Sequence, residues 1–279
     1  MNKHPRRTGG KVLFSIIVTV IVVYSLLPFY WILKSSLETS SALNQATTSF
    51  WPGQITLTHY VALFATENFW RPLLNSVFVA GMTTLLSVLL GSLAAYALAR
   101  MPIKGKAAVL GFVLLVSFFP QIAMVGPLFL VFRQLHWLNT YQSLIFPYLI
   151  LSLPITTWIL TAFFQQIPKD IEEAAMVDGA SIAQTIWQVF APIAAPGIFT
   201  AAILGFLLAW NDLLFALSFL QSPNMFTVPL ALVNFRNAYY VHYGQIYAGV
   251  VVASVPIALV VLFLQRRIES GLTAGSIKG

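Results

Sequence analysis

Apolar residues fall into six long runs separated by polar connections: Val12–Leu33, Leu73–Ala99, Ala107–Phe132, Tyr141–Phe164, Ile193–Leu220 and Ile246–Leu264. About 20 such residues in an α-helix cross a ~30 Å hydrocarbon core, so the pattern predicts six transmembrane helices. The longest remainders, 34–72, 165–192 and 221–245, leave little for a soluble domain. The predicted organisation is a first helix with an external loop over 1–70, a membrane domain over 71–267 containing a polar hairpin at 165–192, and a tail over 268–279. Within the external loop, Trp51-Pro52-Gly53 reads as a turn and Thr58 as a helix cap. Tyr60, Leu63 and Phe64 then share one face of a short helix expected to lie against the membrane surface.

Composition agrees with this pattern: 58% of the 279 residues are hydrophobic and 8% charged, which excludes an ordinary soluble domain. Lys and Arg set the orientation. With the N-terminus inside, eleven of the fifteen basic residues fall in inner segments, among them Lys3, Arg6, Arg7, Lys11, Arg100, Lys104, Lys106 and Lys169. The positive-inside rule therefore predicts that both termini and the 165–192 hairpin are cytoplasmic. The net charge of +7 comes from these anchors and calls for no nucleic acid. The first run is longer than a signal-peptide core and no small-x-small site follows Leu33, so an uncleaved anchor is expected.

Several chemistries are excluded. The chain has no cysteine, and His4, His59, His136 and His242 are scattered, so no metal site is expected. Gly10-Lys11 and Gly105-Lys106 lack the leading glycine and the hydroxyl residue of a phosphate loop. No Gly-x-Ser-x-Gly element occurs. ATP hydrolysis and nucleophilic catalysis are not expected of this chain.

Half of the eight acidic residues crowd into nine positions, Asp170, Glu172, Glu173 and Asp178. Asp170 with Glu173 three residues on has capping-box spacing, and Pro168 is an alternative helix start. Ala175 and Gly179 lie four apart on one face, where a partner could approach the backbone, and Gly179 suits a left-handed cap. Ser181 with Gln184 repeats the box and starts a second helix, which Pro192 is expected to end. A membrane protein presenting such a hairpin offers a docking surface to something soluble.

Glu173-Ala174-Ala175, Gly179, Val189, Ala191 and Pro192 together resemble the coupling loop of membrane subunits of binding-protein-dependent ABC importers. Val189 and Ala191 stand where that family more often has Ile and Leu. Leu207–Phe215, with Trp210-Asn211-Asp212, resembles the fifth-span signature of the carbohydrate-importing branch, and Gly271–Gly279 resembles its tail. With Asn75-Ser76 at the start of the second span and Ala94–Arg100 at its end, the likeness covers nearly the whole chain and points to the shorter, maltose-permease type. It implies an all-α type I ABC importer permease fold with six spans, forming half of the pathway for a sugar or oligosaccharide. It also implies a homologous second permease subunit, two ABC ATPase subunits that bind the ATP and magnesium, and an extracytoplasmic sugar-binding protein. No cofactor is implied for this chain. Coupling to the ATPases falls to Asp170, Glu173, Ala174, Ala175, Gly179 and Pro192.

Candidates for the pathway are polar groups inside spans. Asp212 reads either as a pathway acid or as a cap or helix-to-helix hydrogen bond. Asn211 is the solute-facing candidate, and Gln121 sits after Pro120 at a disturbed point of the third span, near Gly126-Pro127. Asn234, Arg236, Tyr239 and Tyr240 mark the outer segment 221–245. Sugar binding and an interfacial aromatic belt both suit that composition, and the resemblance adds contact with the binding protein. The rival reading is an ion-gradient-driven secondary transporter acting alone. Such carriers commonly show related halves and coupling charges at the midplane, and no convincing repeat is present here.

Overall fold

In a computed structural model, the structure describes residues 8–45, 49–181, 184–235 and 241–275, with backbone alone for 8, 9 and 264–275. The described residues are almost entirely helical. Five helices are long and apolar enough to cross a membrane, and two shorter ones joined by an 85° bend pass the same test only when taken together as one span. Two compact units make up the chain, 1–68 with 234–253, and 69–233 with 254–279.

In the first unit, α1 (Thr8–Ser36) carries an apolar surface that its own chain leaves exposed along 12–29. A helix apolar all round suits lipid or another protein's helices. Its end is held by a buried Lys34–Glu38 ion pair of 2.9 Å. The short α2 (Ser40–Leu43) is capped by the Thr39 hydroxyl. Helix α3 (Thr58–Ala65) buries His59 and Leu63, four apart, whereas Phe64 is exposed. Tyr60, between them, is half-buried. His59 Nε2 donates to Glu38 O at 2.8 Å, and its ring packs where Gly244 leaves no room for a Cβ. Thr58 is not the cap: it lies in the first turn, and its amide donates to the Thr56 hydroxyl.

In the second unit, α4 (Trp70–Arg100), α7 (Gln142–Gln166) and α9 (Ala191–Asn211) form the packed centre. Helix α4 starts at Trp70, five residues before Asn75. Small residues let the backbones meet. A Cβ on Gly91 would stand 2.7 Å from Thr156 Cγ2, one on Gly197 2.5 Å from Phe163 Cγ, and one on Gly205 3.4 Å from Ser87 Oγ. Close approach through small side chains is how helices associate where lipid removes the hydrophobic drive. Buried hydroxyls bond back to their own helix, as Thr161 does to Thr157 O at 2.7 Å.

Two expected spans are altered. The third is two helices, α5 (Lys106–Ser117) and α6 (Gln121–Gln134), bent by 85°. Pro120, with ψ 120°, has no N–H to continue the helix, and Phe118 and Phe119 close the preceding turn. The fifth begins earlier than Ile193 and stops at Asn211. Asp212 is extended, and α10 (Leu214–Phe219) resumes beyond it. Pro192 does not end a helix. A π-helical turn at Thr185–Phe190 runs straight into α9. Pro192 falls in the first turn of α9, where proline's missing N–H and fixed φ are tolerated. The fold is completed by α11 (Val228–Asn234) and α12 (Tyr243–Gly275).

Candidate functional site

The acidic hairpin folds as α8 (Lys169–Val177) between the end of α7 and the π turn. Pro168 is its N-cap, and no side chain caps it. Asp170 and Glu173 therefore do not form the expected box: with Pro168 as the cap, both already lie inside the helix. Asp170 and Glu172 in the first turn still suit the positive end of the helix dipole.

The C-terminus follows the expectation closely. Gly179 has φ 86°. Its N–H reaches Met176 O at 3.1 Å and Ala180 N–H reaches Ala175 O at 3.0 Å, the two bonds of a Schellman cap. Next, Ser181 and Gln184 form a reciprocal box: Ser181 N–H donates to Gln184 Oε1 at 2.9 Å and Gln184 N–H to Ser181 Oγ at 3.3 Å.

Helix α8 has two faces. Ile171, Glu172 and Ala175 turn inward, while Glu173, Ala174, Met176, Val177 and Gly179 are exposed. Val177 is 86% exposed, and Trp187 on the adjoining π turn 66%. Val177 and Trp187 thus form an open apolar surface on an otherwise polar hairpin.

Beneath that surface lies a cluster that sequence reasoning missed. Arg100, at the end of α4, places Nε 2.5 Å from Glu172 Oε1 with both side chains buried. Its Nη2 donates to Ile167 O at 2.8 Å, so it satisfies a carbonyl at the end of α7. Tyr96, one turn earlier on α4, donates to Glu172 Oε2 at 3.0 Å. The Arg100 guanidinium carbon lies 5.2 Å from the Phe190 ring centre. Phe190 in turn meets Tyr96 and Phe164 edge-on. Arg100 had been assigned only an anchoring role at the inner surface. The available signal was spacing: Ile171 is the one large aliphatic residue in 169–175, so residues 172 and 175 share its inward side.

The pathway candidates lie elsewhere in this unit. Asp212 Oδ1 accepts from Tyr148 Oη of α7 at 2.8 Å and from Phe215 N–H at 3.0 Å. It thus links α7 to the turn between α9 and α10. Asn211 is exposed and donates to Leu207 O at 2.8 Å. Gln121 is exposed as the first residue of α6 at the 85° bend. Asn234, in the first unit, is exposed at the end of α11. Arg236, Tyr239 and Tyr240 lie outside the described residues. Asn75, read only as a helix start, holds the connection after α10: its Nδ2 reaches Asn224 O and Phe226 O, each at 2.9 Å, and its Oδ1 accepts from Tyr141 Oη at 2.8 Å.

Five long apolar helices, a bent helix pair and a capped, exposed hairpin between two of the long helices define a helical membrane protein. Residues 87–274 match the family model described as "Binding-protein-dependent transport system inner membrane component", and the chain belongs to that family. It is 41% identical over 268 residues to the trehalose transport system permease protein SugB of Mycobacterium tuberculosis, covering 95% of this chain and 97% of that protein. It is 40% identical over 271 residues to the sulfoquinovosyl glycerol transport system permease protein SmoH of Agrobacterium fabrum, covering 97% and 95%. Its fold is similar to a chain in the crystal structure of a bacterial ABC transporter involved in import of the acidic polysaccharide alginate. There the TM-score is 0.76 at 21% identity, over 95% of this chain and 99% of that one.

Proposed function

We propose that this chain forms half of the translocation pathway of an ATP-driven importer of a sugar or oligosaccharide, with both termini cytoplasmic. The observation that carries this reading is the exposed face of α8, Glu173, Ala174 and Gly179 with Val177 beside them, held by a Schellman cap in a member of this family. An ATPase subunit seats on that face. A homologous permease subunit completes the pore, and a binding protein delivers solute outside. The ATPase subunits hold ATP and magnesium. The chain itself binds no cofactor and makes or breaks no covalent bond.

Alternating access follows from differential binding. ATP favours closed ATPases, the closed ATPases favour one position of α8, and that position favours the outward-open arrangement of the spans. Asn211, Asp212 and Gln121 are assigned to the pathway. Asn234, Arg236, Tyr239 and Tyr240 are assigned to contact with the binding protein. The disaccharides and glycosides in the relatives' names point to trehalose or a related glycoside as solute. Co-expressing the chain with its ATPase and partner permease in vesicles, and adding binding protein with radiolabelled trehalose, tests the reading. ATP-dependent uptake is expected. Uptake by the chain alone on an ion gradient would favour the secondary carrier instead.

A further inference from the structure

We propose that the buried Arg100–Glu172 ion pair is the joint that passes movement of α8 to α4, making both of them positioning residues for coupled transport. The inference rests on the reading of α8 as the ATPase-docking helix and names the residues that convert docking into movement of a span.

Helix α8 packs on the π turn and is joined to α7 through Ile167 and Pro168, and its directional side-chain bonds to α4 are those of Glu172. One face is exposed, and its inward apolar anchor is the half-buried Ile171. Apolar contacts are non-directional and let a helix slide. The Glu172 carboxylate is held from two sides by the same helix: Oε2 accepts from Tyr96 and Oε1 faces Arg100 Nε at 2.5 Å. Tyr96 and Arg100 are four residues apart and therefore adjacent on α4. Arg100 is itself fixed, by Ile167 O at 2.8 Å and by the Phe190 face. A rigid fork with several partners has little freedom to follow a displaced carboxylate. The start of α8 therefore cannot shift without carrying the end of α4 or breaking the pair.

At the other end, α8 leaves through Gly179 in a left-handed conformation and the π turn at Thr185–Phe190. Turns of this kind often mark places where a helix adjusts. The hairpin is thus tied to α4 at its start by Glu172, and its far end reaches the same arginine through Phe190. Movement imposed on its exposed face is delivered to α4, which packs on both α7 and α9.

The test uses the complete importer in vesicles and two substitutions of Glu172. Glu172→Gln keeps the shape and removes the charge, whereas Glu172→Asp keeps the charge. In Glu172→Gln, trehalose imported per ATP hydrolysed should fall about fivefold or more, the lower end of common site-to-site couplings. ATPase co-purification should persist, and Glu172→Asp should retain more of the ratio than Glu172→Gln. A second readout does not depend on transport. The chain has no cysteine, so Leu93→Cys and Val177→Cys can carry a unique spin-label pair on exposed sites of α4 and α8. In the full chain in nanodiscs, Glu172→Gln should broaden the distance distribution between them. A distribution as narrow as with Glu172 present, or an unchanged sugar-to-ATP ratio, overturns the joint. If the unsubstituted importer gives no ATP-driven trehalose uptake, the functional reading or its solute fails, and the distance measurement still judges the joint. If Glu172→Gln fails to assemble, that measurement decides alone.

Discussion

Tyr148 of α7 donates its hydroxyl to Asp212 Oδ1 at 2.8 Å, and Tyr148 is among the largest fully buried side chains. The same oxygen accepts from Phe215 N–H. One acid thus closes the gap between α9 and α10 and ties it to a neighbouring helix. Asp212→Asn keeps an oxygen at that place and should assemble and melt close to the parent protein. Asp212→Ala removes the acceptor from both donors, and stranding buried donors costs about 1–3 kcal/mol each. Thermal melting of the purified complex in detergent checks the order. Equal melting of the Asn and Ala variants would contradict the bridge.

Gly179 separates conformation from space. Its φ of 86° strains most side chains, yet a Cβ there would meet nothing within 4 Å. The penalty for a non-glycine residue is therefore mainly backbone strain, about 1–2 kcal/mol for an ordinary L-residue. Asn tolerates this region better. Gly179→Asn should retain ATPase co-purification and uptake better than Gly179→Leu, with both inserted in the membrane. Full uptake by Gly179→Leu would show that neither the cap nor close approach matters.

The helix contacts predict a sharp contrast among glycines. Gly197→Ala drives a methyl into the Phe163 ring, with built distances of 2.5–2.9 Å, while Gly111 and Gly126 have nothing within 4 Å. Overpacking of this kind costs about 1–3 kcal/mol. Gly111→Ala should be neutral or slightly stabilising, because alanine favours a helix interior by about 1 kcal/mol over glycine. Melting temperatures of the two variants should move in opposite directions or differ clearly in size.

Asn75 makes three hydrogen bonds, to Asn224 O, Phe226 O and Tyr141 Oη. Asn75→Ala leaves those groups short of partners, at about 1–3 kcal/mol for each buried one. Hydrogen exchange over 221–228 should accelerate while α7 stays protected. Unchanged exchange there would mean that Ser76, which accepts from Val228 N–H at 2.8 Å, suffices to hold the segment.

What was legible in the sequence is what depends on neighbours along the chain. Long apolar runs identified spans because a helix satisfies its own backbone in lipid, whatever packs on it. Gly179 and the Ser181–Gln184 box were readable because their partners lie within five residues. The Asp170–Glu173 box failed because Pro168 starts the helix earlier, and capping spacing alone does not choose between two starts. Pro192 misled for a similar reason: a proline ends a helix in its interior but is tolerated in a first turn, and Pro192 stands in the first turn of α9.

Tertiary structure decided the rest. Glu172 and Glu173 are identical in composition and adjacent in sequence, yet one is buried against Arg100 and the other is exposed. Their difference is set by which side of α8 meets α4, and Arg100 stands 72 positions away in the chain. Tyr148 with Asp212 and Asn75 with Asn224 are likewise pairs far apart in sequence. The chain alone fixes which groups need partners, since a buried donor or charge is costly when unmet. Only helix packing, through Gly91, Gly197 and Gly205, determines which partners arrive.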